Sequence, residues 1–299
     1  MKYLIVVLFF LSACSDGIKT LPSSTGILSE VIFVVEDLLW ESQVKDVAFR
    51  TFGAPIPGLP QEESSFSVLQ INKSEFKSVY KTHKNIVIIA KNVPDSVEEN
   101  KWANGQFVAY LGWDNNPSNR AQGLNKLREI FVVREVNSIK KSFAKLSQKK
   151  IEETLNLNFK IDCIVPKEYQ IYENNESFFW ANSTSSSVKS DEIKNIFTFS
   201  FVPKLLNLQE QVLQKTDSIF AKYLIGTNEG SYGKIEQAYP PDYFENIYRG
   251  LWKLENGFMG GPFLIKTYFV EDKIVVNVGL VYAPHTTKRK YIKELEAIL

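Results

Sequence analysis

Two histidines, His83 and His285, are the only imidazoles in the 299-residue sequence. Histidine is the side chain whose ordinary pKa suits proton transfer near neutral pH, so general acid–base work falls to one of these or to tuned carboxylates. His83 stands between a predicted short helix and a strand, and His285 precedes a predicted final helix; loop or capping roles are the plain reading of both. A Ser-His-Asp triad is defined by geometry and stays open, although no Gly-x-Ser-x-Gly elbow occurs. Gly230-Ser231-Tyr232-Gly233-Lys234 lacks the spacing of a phosphate-binding loop. The acid pairs Glu36-Asp37 and Glu62-Glu63 read as solvated loop charges, because glycoside chemistry requires carboxylates converging at about 5–10 Å. No His/Cys spacing of the zinc kind is present. The reading therefore assigns no catalytic residue, no metal and no cofactor, and leans away from an enzyme.

A few residues stand above this background as ligand contacts. Gly257-Phe258-Met259-Gly260-Gly261-Pro262-Phe263 sets glycines between aromatics just before a strand. Gly260 and Gly261 there permit close backbone approach, either in a wide turn closed by aromatic packing or in a ligand-facing loop. Arg249 and Trp252 lie on a predicted strand, and three positions apart they point to opposite faces unless a bulge intervenes. Arg249 suits an ion pair, or a carboxylate or phosphate. His83 completes the set of residues expected near a ligand. Asp95-Ser96-Val97 and Asp217-Ser218-Ile219 carry a short acidic-serine-apolar pattern associated with bacterial O-glycosylation. Ser96, in a loop, is the better acceptor of the two.

The strongest chemical signal is a thiol near the N-terminus. Lys2 is followed by the apolar run Tyr3 to Leu11 and then by Leu11-Ser12-Ala13-Cys14. Crossing a bilayer takes about 20 apolar residues, so this run has the length of a signal-peptide core instead. The tetrapeptide resembles the lipobox of bacterial lipoproteins, in which small residues admit the chain to a peptidase and the cysteine accepts diacylglycerol. Cys14 is thus the expected lipidation site. Two or three acyl chains, at about 0.8 kcal/mol per buried methylene, hold essentially permanently. The expected location is a cell membrane, the outer membrane in particular, with the periplasmic face or cell surface left open. Cys163, the other cysteine, lies in an apolar run and reads as a buried structural thiol.

Composition is that of an ordinary globular chain: 44% hydrophobic, 23% charged and 13% aromatic residues, with net charge +1. Nucleic-acid binding calls for a concentrated basic face, and the longest basic run is Lys288-Arg289-Lys290. Expected partners are the membrane, through the anchor, and a protein or glycan of the envelope, not nucleic acid.

These residues need elements to position them. Ser15 to Gly26 is polar and reads as a tether. Strands are predicted at Val31–Val35, Phe66–Ile71, Asn85–Ala90 and Gln106–Leu111, with helices at Leu38–Phe52 and Lys73–Lys81. The prolines of Ala54 to Pro60 break the first helix. Pro117 to Leu155 reads as one helical stretch, ~50 Å long at ~1.5 Å per residue if unbroken, which either kinks or bridges two domains; the bridge is the preferred reading. Beyond it come strands at Leu157–Val165, Ser177–Asn182 and Ile196–Val202, then a helix from Leu205 to Tyr223 stopped by Gly226. Three strands follow, Ile247–Leu254, Pro262–Val270 and Lys273–Tyr282, the last two joined as a hairpin at Glu271-Asp272. Thr286 or Thr287 is expected to cap a final helix with Tyr291, Ile292, Leu295 and Ile298 inward. The fold class is α/β, with α+β character in the second half, as a two-domain or two-lobed αβ sandwich. The expected divisions are a signal peptide at 1–13, a lipidated tether at 14–27, an α/β lobe at 28–116, a connecting helix at 117–155 and an α+β lobe at 156–299.

Several segments together resemble a known family. They include Leu21-Pro22-Ser23-Ser24-Thr25-Gly26, Ala54-Pro55-Ile56-Pro57-Gly58-Leu59-Pro60-Gln61 and Lys81-Thr82-His83-Lys84-Asn85-Ile86, and further on Arg249-Gly250-Leu251-Trp252, Phe258 to Phe263, Val281-Tyr282-Ala283-Pro284 and Leu295 to Leu299. In this order they resemble a family of Bacteroidota lipoproteins of unknown function, domain-of-unknown-function family number 4837. The resemblance implies an envelope lipoprotein and supplies no catalytic residues. In element order alone, the second half also resembles PsbP-like and Mog-one-like αβα sandwiches, and fold does not fix function. The functional expectation is a non-catalytic binding, assembly or docking module held to the membrane by lipid. An envelope hydrolase or transferase with an unrecognised site is the alternative.

Overall fold

The computed structural model describes residues 20–59, 61–113, 117–187, 190–205 and 207–299. Cys14 and the segment expected to be a signal peptide lie outside the described residues. Mixed α/β architecture is borne out, in two sheets.

The first sheet holds β1 (Glu30–Val34), β2 (Ser67–Ile71), β3 (Asn85–Ala90), β4 (Ser96–Glu99) and β5 (Phe107–Gly112), in the order β2-β1-β3-β5-β4. All pairs are parallel except β4 with β5. Its central strands read as unbroken apolar runs because both faces are buried. Against one face pack α1 (Asp37–Leu39), the π turn Trp40–Val44, α2 (Lys45–Phe52) and the first half of α4 (Pro117–Lys145). The other face is covered by Phe76 and Trp102 from loops. The helix expected from Lys73 shortens to α3 (Ser78–Lys81), because the Asn72 carboxamide accepts from the Ser74 N–H and hydroxyl and holds a turn there.

Residues 21–25, expected as tether, are pinned to this sheet. Thr25 N–H donates to the Thr82 carbonyl at 2.8 Å, and Asn104 donates to the Pro22 and Leu21 carbonyls.

The second sheet is antiparallel. It comprises β6 (Gln170–Asn174), β7 (Phe178–Ser187), β8 (Ser190–Phe201), β9 (Tyr232–Ile235), β10 (Asp242–Phe244), β11 (Ile247–Glu255), β12 (Gly260–Val270) and β13 (Lys273–Tyr282). The order is β10-β11-β12-β13-β8-β7-β6, with β9 on β11. Alternation along β13 separates two cores. Ile274, Val276, Val278 and Leu280 meet α6 (Leu208–Tyr223) through Val212 and Phe220. Val275 and Val281 meet α5 (Lys149–Phe159) and α7 (Arg289–Ile298) through Leu155, Tyr291, Leu295 and Ile298. The layers therefore run helix, sheet, helix.

Four local expectations change. The stretch from Pro117 does not run unbroken: it ends at Lys145, and α5 resumes at Lys149 after Gln148 N–H has turned to the Val165 carbonyl. Leu157–Phe159 is helical, not strand, because Ile151, Leu155 and Phe159 keep a four-residue spacing onto the sheet, and Lys160 at φ +57° stops the helix. Helix α6 closes at Leu224, and Gly226 lies beyond its cap. Neither Thr286 nor Thr287 caps α7; Lys288 is at its N-cap, without a side-chain bond to the helix.

Candidate functional site

The missing cap comes from the other half of the chain. Glu63, expected as a solvated loop charge, accepts from Lys288 N–H at 2.7 Å and Arg289 N–H at 2.8 Å. A carboxylate at the positive end of a helix satisfies donors that the helix itself leaves open. Arg289 returns the contact through Ser64 carbonyl and Ser67 hydroxyl. The same proline-rich loop lies on β11: Gly58, at φ +80°, sits so close that a Cβ there would stand 2.8 Å from the Arg249 carbonyl oxygen. The loop thus fastens the first lobe to β11 and α7 of the second.

Helix α4 makes the second fastening. Leu124, Arg128, Phe131 and Glu135 fall on one helical stripe, which places two charges in an otherwise apolar row. Glu135 is buried and accepts from Ser29 N–H at 2.9 Å and Asn85 Nδ2 at 3.1 Å. Ser29 holds φ +61°, a region L-residues seldom occupy, and strain of this kind persists where surrounding contacts enforce it. Across the seam Lys293 of α7, equally buried, donates to Glu135 and lies 4.3 Å from the centre of the Phe66 ring. Burial draws the Lys293 ammonium below its ordinary pKa, and the Glu135 carboxylate offsets only part of that fall.

Cavities open along this seam. One of about 200 Å³ is lined by Arg128, Arg249, Lys293 and Glu296 with Ile56, Pro57, Val132 and Ile292. A neighbour of about 250 Å³ shares Val132, Arg249 and Glu296 and continues past Val133, Val136, Ile247 and Leu264 to Lys266. A third, of about 260 Å³, lies where the loop meets Trp252, Gly261 and Lys288. Arg249 is bound to Glu296 at 2.8 Å. Arg128 differs: its Nε is buried and has no acceptor among the described residues.

The residues expected at a ligand site are scattered over this framework. Arg249 lines the first two cavities, while Trp252 and Gly261 line the third. Arg249 and Trp252 alternate in burial along β11 and occupy opposite faces. Trp252 Nε1 donates to the Val281 carbonyl at 3.1 Å. Gly261 passes so close to that carbonyl that a Cβ would overlap it, and a Cβ at Gly260 would stand 2.8 Å from the Trp252 carbonyl. Phe258 is 82% exposed, so the loop is not closed by its ring. His83 is neither at the seam nor in an exposed loop. It is buried, with Nε2 at 2.9 Å from Glu30 and Nδ1 at 3.0 Å from the Asn85 carbonyl oxygen, and it packs under Gly26. His285 is exposed.

Ser96 is exposed at the start of edge strand β4. Ser218 is exposed too, but donates back to the Gln214 carbonyl. Cys163 is fully enclosed, and burial pushes its thiol up to about 12. Among the described residues no cluster of three His, Cys, Asp or Glu is arranged to hold a metal, and no helix is long and apolar enough to cross a membrane.

The same division appears in comparison with known families. Residues 147–299, just over half the chain, match the model of a domain of unknown function, DUF4837. The chain belongs to the DUF4837 family. A second domain of unknown function, DUF8532, matches residues 24–143. No curated protein matches the sequence. The boundary between the DUF4837 region and its neighbour coincides with the turn between α4 and α5, so both seam fastenings cross it. Arg128, Glu135 and Glu63 come from the DUF8532 side; Arg249, Lys293 and Glu296 come from the DUF4837 side.

The charges that matter here were the ones sequence reasoning passed over. Arg128 and Glu135 were visible as two charges seven apart on an apolar stripe, a pattern that marks a buried interaction when a second surface covers the helix. Lys293 and Glu63 carry no such mark.

Proposed function

We propose that this protein is a lipid-anchored, non-catalytic binding module of the cell envelope, with the seam between its lobes as the binding site. The observation that carries the site is the unsatisfied Arg128 Nε in a cavity already formed where the two lobes meet. Most buried polar groups are hydrogen-bonded and each exception calls for an explanation; of the five among the described residues, Arg128 Nε alone belongs to a charged side chain and lines a seam cavity. The other charges of that cavity are engaged, Arg249 with Glu296 and Lys293 with Glu135. Charges held in this way shape a site, and a ligand can use them without any proton changing hands.

The anchor rests on Leu11-Ser12-Ala13-Cys14 and the apolar run before it. Cys14 receives the lipid, and the outer membrane is its destination. The domains follow the anchor: a signal peptide at 1–13, then a lobe on each side of α4. Replacing the thiol tests the anchor. Cys14→Ala is expected to release the protein into the soluble periplasmic fraction or leave it as uncleaved precursor. Incorporation of labelled fatty acid into that variant at the wild-type level would remove the lipid assignment.

A further inference from the structure

We infer that the seam binds an amphiphile with one negative charge, its carboxylate at Arg128 and its alkyl chain along α4. The inference rests on the seam being the binding site and adds the chemical class of its occupant.

Charge pairing sets the head group. Four ionisable side chains line the smaller cavity, Arg128, Arg249, Lys293 and Glu296. Glu296 neutralises Arg249, and Glu135 neutralises Lys293 from behind. Arg128 is what remains, one cation with its Nε buried and unsatisfied. A guanidinium presents its donors in a planar fork that matches a carboxylate, and a bond to a charged acceptor is the stronger kind. One negative charge balances the cavity; two would leave an excess.

The surroundings set the rest of the molecule. Ile56, Pro57 and Ile292 close around the head. From there the adjoining cavity runs along Val132, Val133 and Val136 and is floored by Ile247 and Leu264. Val133 is 57% exposed, so apolar helix surface now in water would be covered by an alkyl chain laid along it. Lys266 closes the far end with its ammonium 5.4 Å from the Tyr268 ring centre, so the alkyl chain ends short of it. An uncharged alcohol could accept a bond from Arg128 but would leave its charge unbalanced, and a chainless anion would leave the valines exposed.

The test is calorimetric titration of the protein with decanoate below its micelle-forming concentration, beside decanol and acetate. Saturable binding of one decanoate per chain is expected, with decanol and acetate weaker by about tenfold or more, the scale of one charge-assisted bond. Arg128→Met should weaken decanoate by a similar factor. Val133→Trp, which fills the groove from an exposed position, should weaken decanoate while sparing acetate. Decanoate binding that is unchanged in both variants overturns the inference. If decanoate fails but acetate or phosphate saturates in an Arg128-dependent way, the seam remains a binding site and the amphiphile is refuted. If no anion binds, both fall.

Discussion

At the scale of single residues, the seam turns on one carboxylate. Glu135 collects the Ser29 N–H, the Asn85 carboxamide and the Lys293 ammonium in a region closed to water. Removing one partner of a buried pair leaves a charge that neither water nor protein solvates, which costs about 3–5 kcal/mol. Glu135→Gln and Lys293→Met are each expected to destabilise on that scale in urea denaturation. Glu135→Gln with Lys293→Met should cost clearly less than the two singles added, because the uncompensated charge is then gone. Additive losses would show that the two side chains contribute separately. This pair could not be foreseen from sequence. Nothing local distinguishes Lys293 from Lys290 three places earlier on the same helix; only the arrival of α4, 158 residues away in sequence, does so.

At the scale of elements, the fastening loop and the helix it caps make a second prediction. Glu63→Ala should lower stability by about 1 kcal/mol, as the loss of a helix cap does. Gly58→Ala should cost on the order of 1–3 kcal/mol, since its φ of +80° and the Arg249 main chain both oppose a side chain. Midpoints of thermal or denaturant unfolding measure both, and a neutral Gly58→Ala would mean the loop does not bear on β11. The elements themselves were legible wherever burial is written as period. The apolar runs at Asn85–Ala90 and Lys273–Tyr282 became β3 and β13 as read. The ends were harder. The turn at 146–148 has neither glycine nor proline to mark it, and backbone bonds from residues some twenty positions on, Gln148 to Val165 and Lys167 to Leu146, are what break the helix. Strands β4 and β10, three or four residues long and exposed throughout, are too short for an alternation of buried and exposed positions to mark them.

At the scale of the whole molecule, the ionisation of buried tyrosines links the fold to pH. Burial raises Tyr248, Tyr268 and Tyr291 from 10.0 to about 12, and pushes Tyr169 well above 10.0 too. The folded protein keeps these protons when the unfolded chain has begun to lose them. The stabilisation is therefore complete below pH 10.0 and is lost as pH rises toward 12. Tyrosinate absorbance at an intermediate pH should fall short of that of the denatured chain, and the unfolding midpoint should drop steadily across the window. Equal absorbance in the two states would contradict the burial of these rings. Two lobes and their α/β character were within reach of sequence; the site was not, because it consists of charges brought together from both sides of a junction.

That junction bears on descent as well. The two family models meet within a few residues of Lys145, as though the halves were separable modules, yet Glu135 and Lys293 stand on opposite sides of the division. A gene cut or shuffled there would break the Glu135–Lys293 bridge, bare both faces of the seam to water and strip α7 of its acidic cap. Either half alone would have to meet water with a face that now packs against the other, and Glu135 and Lys293 would each lose the partner that offsets its charge.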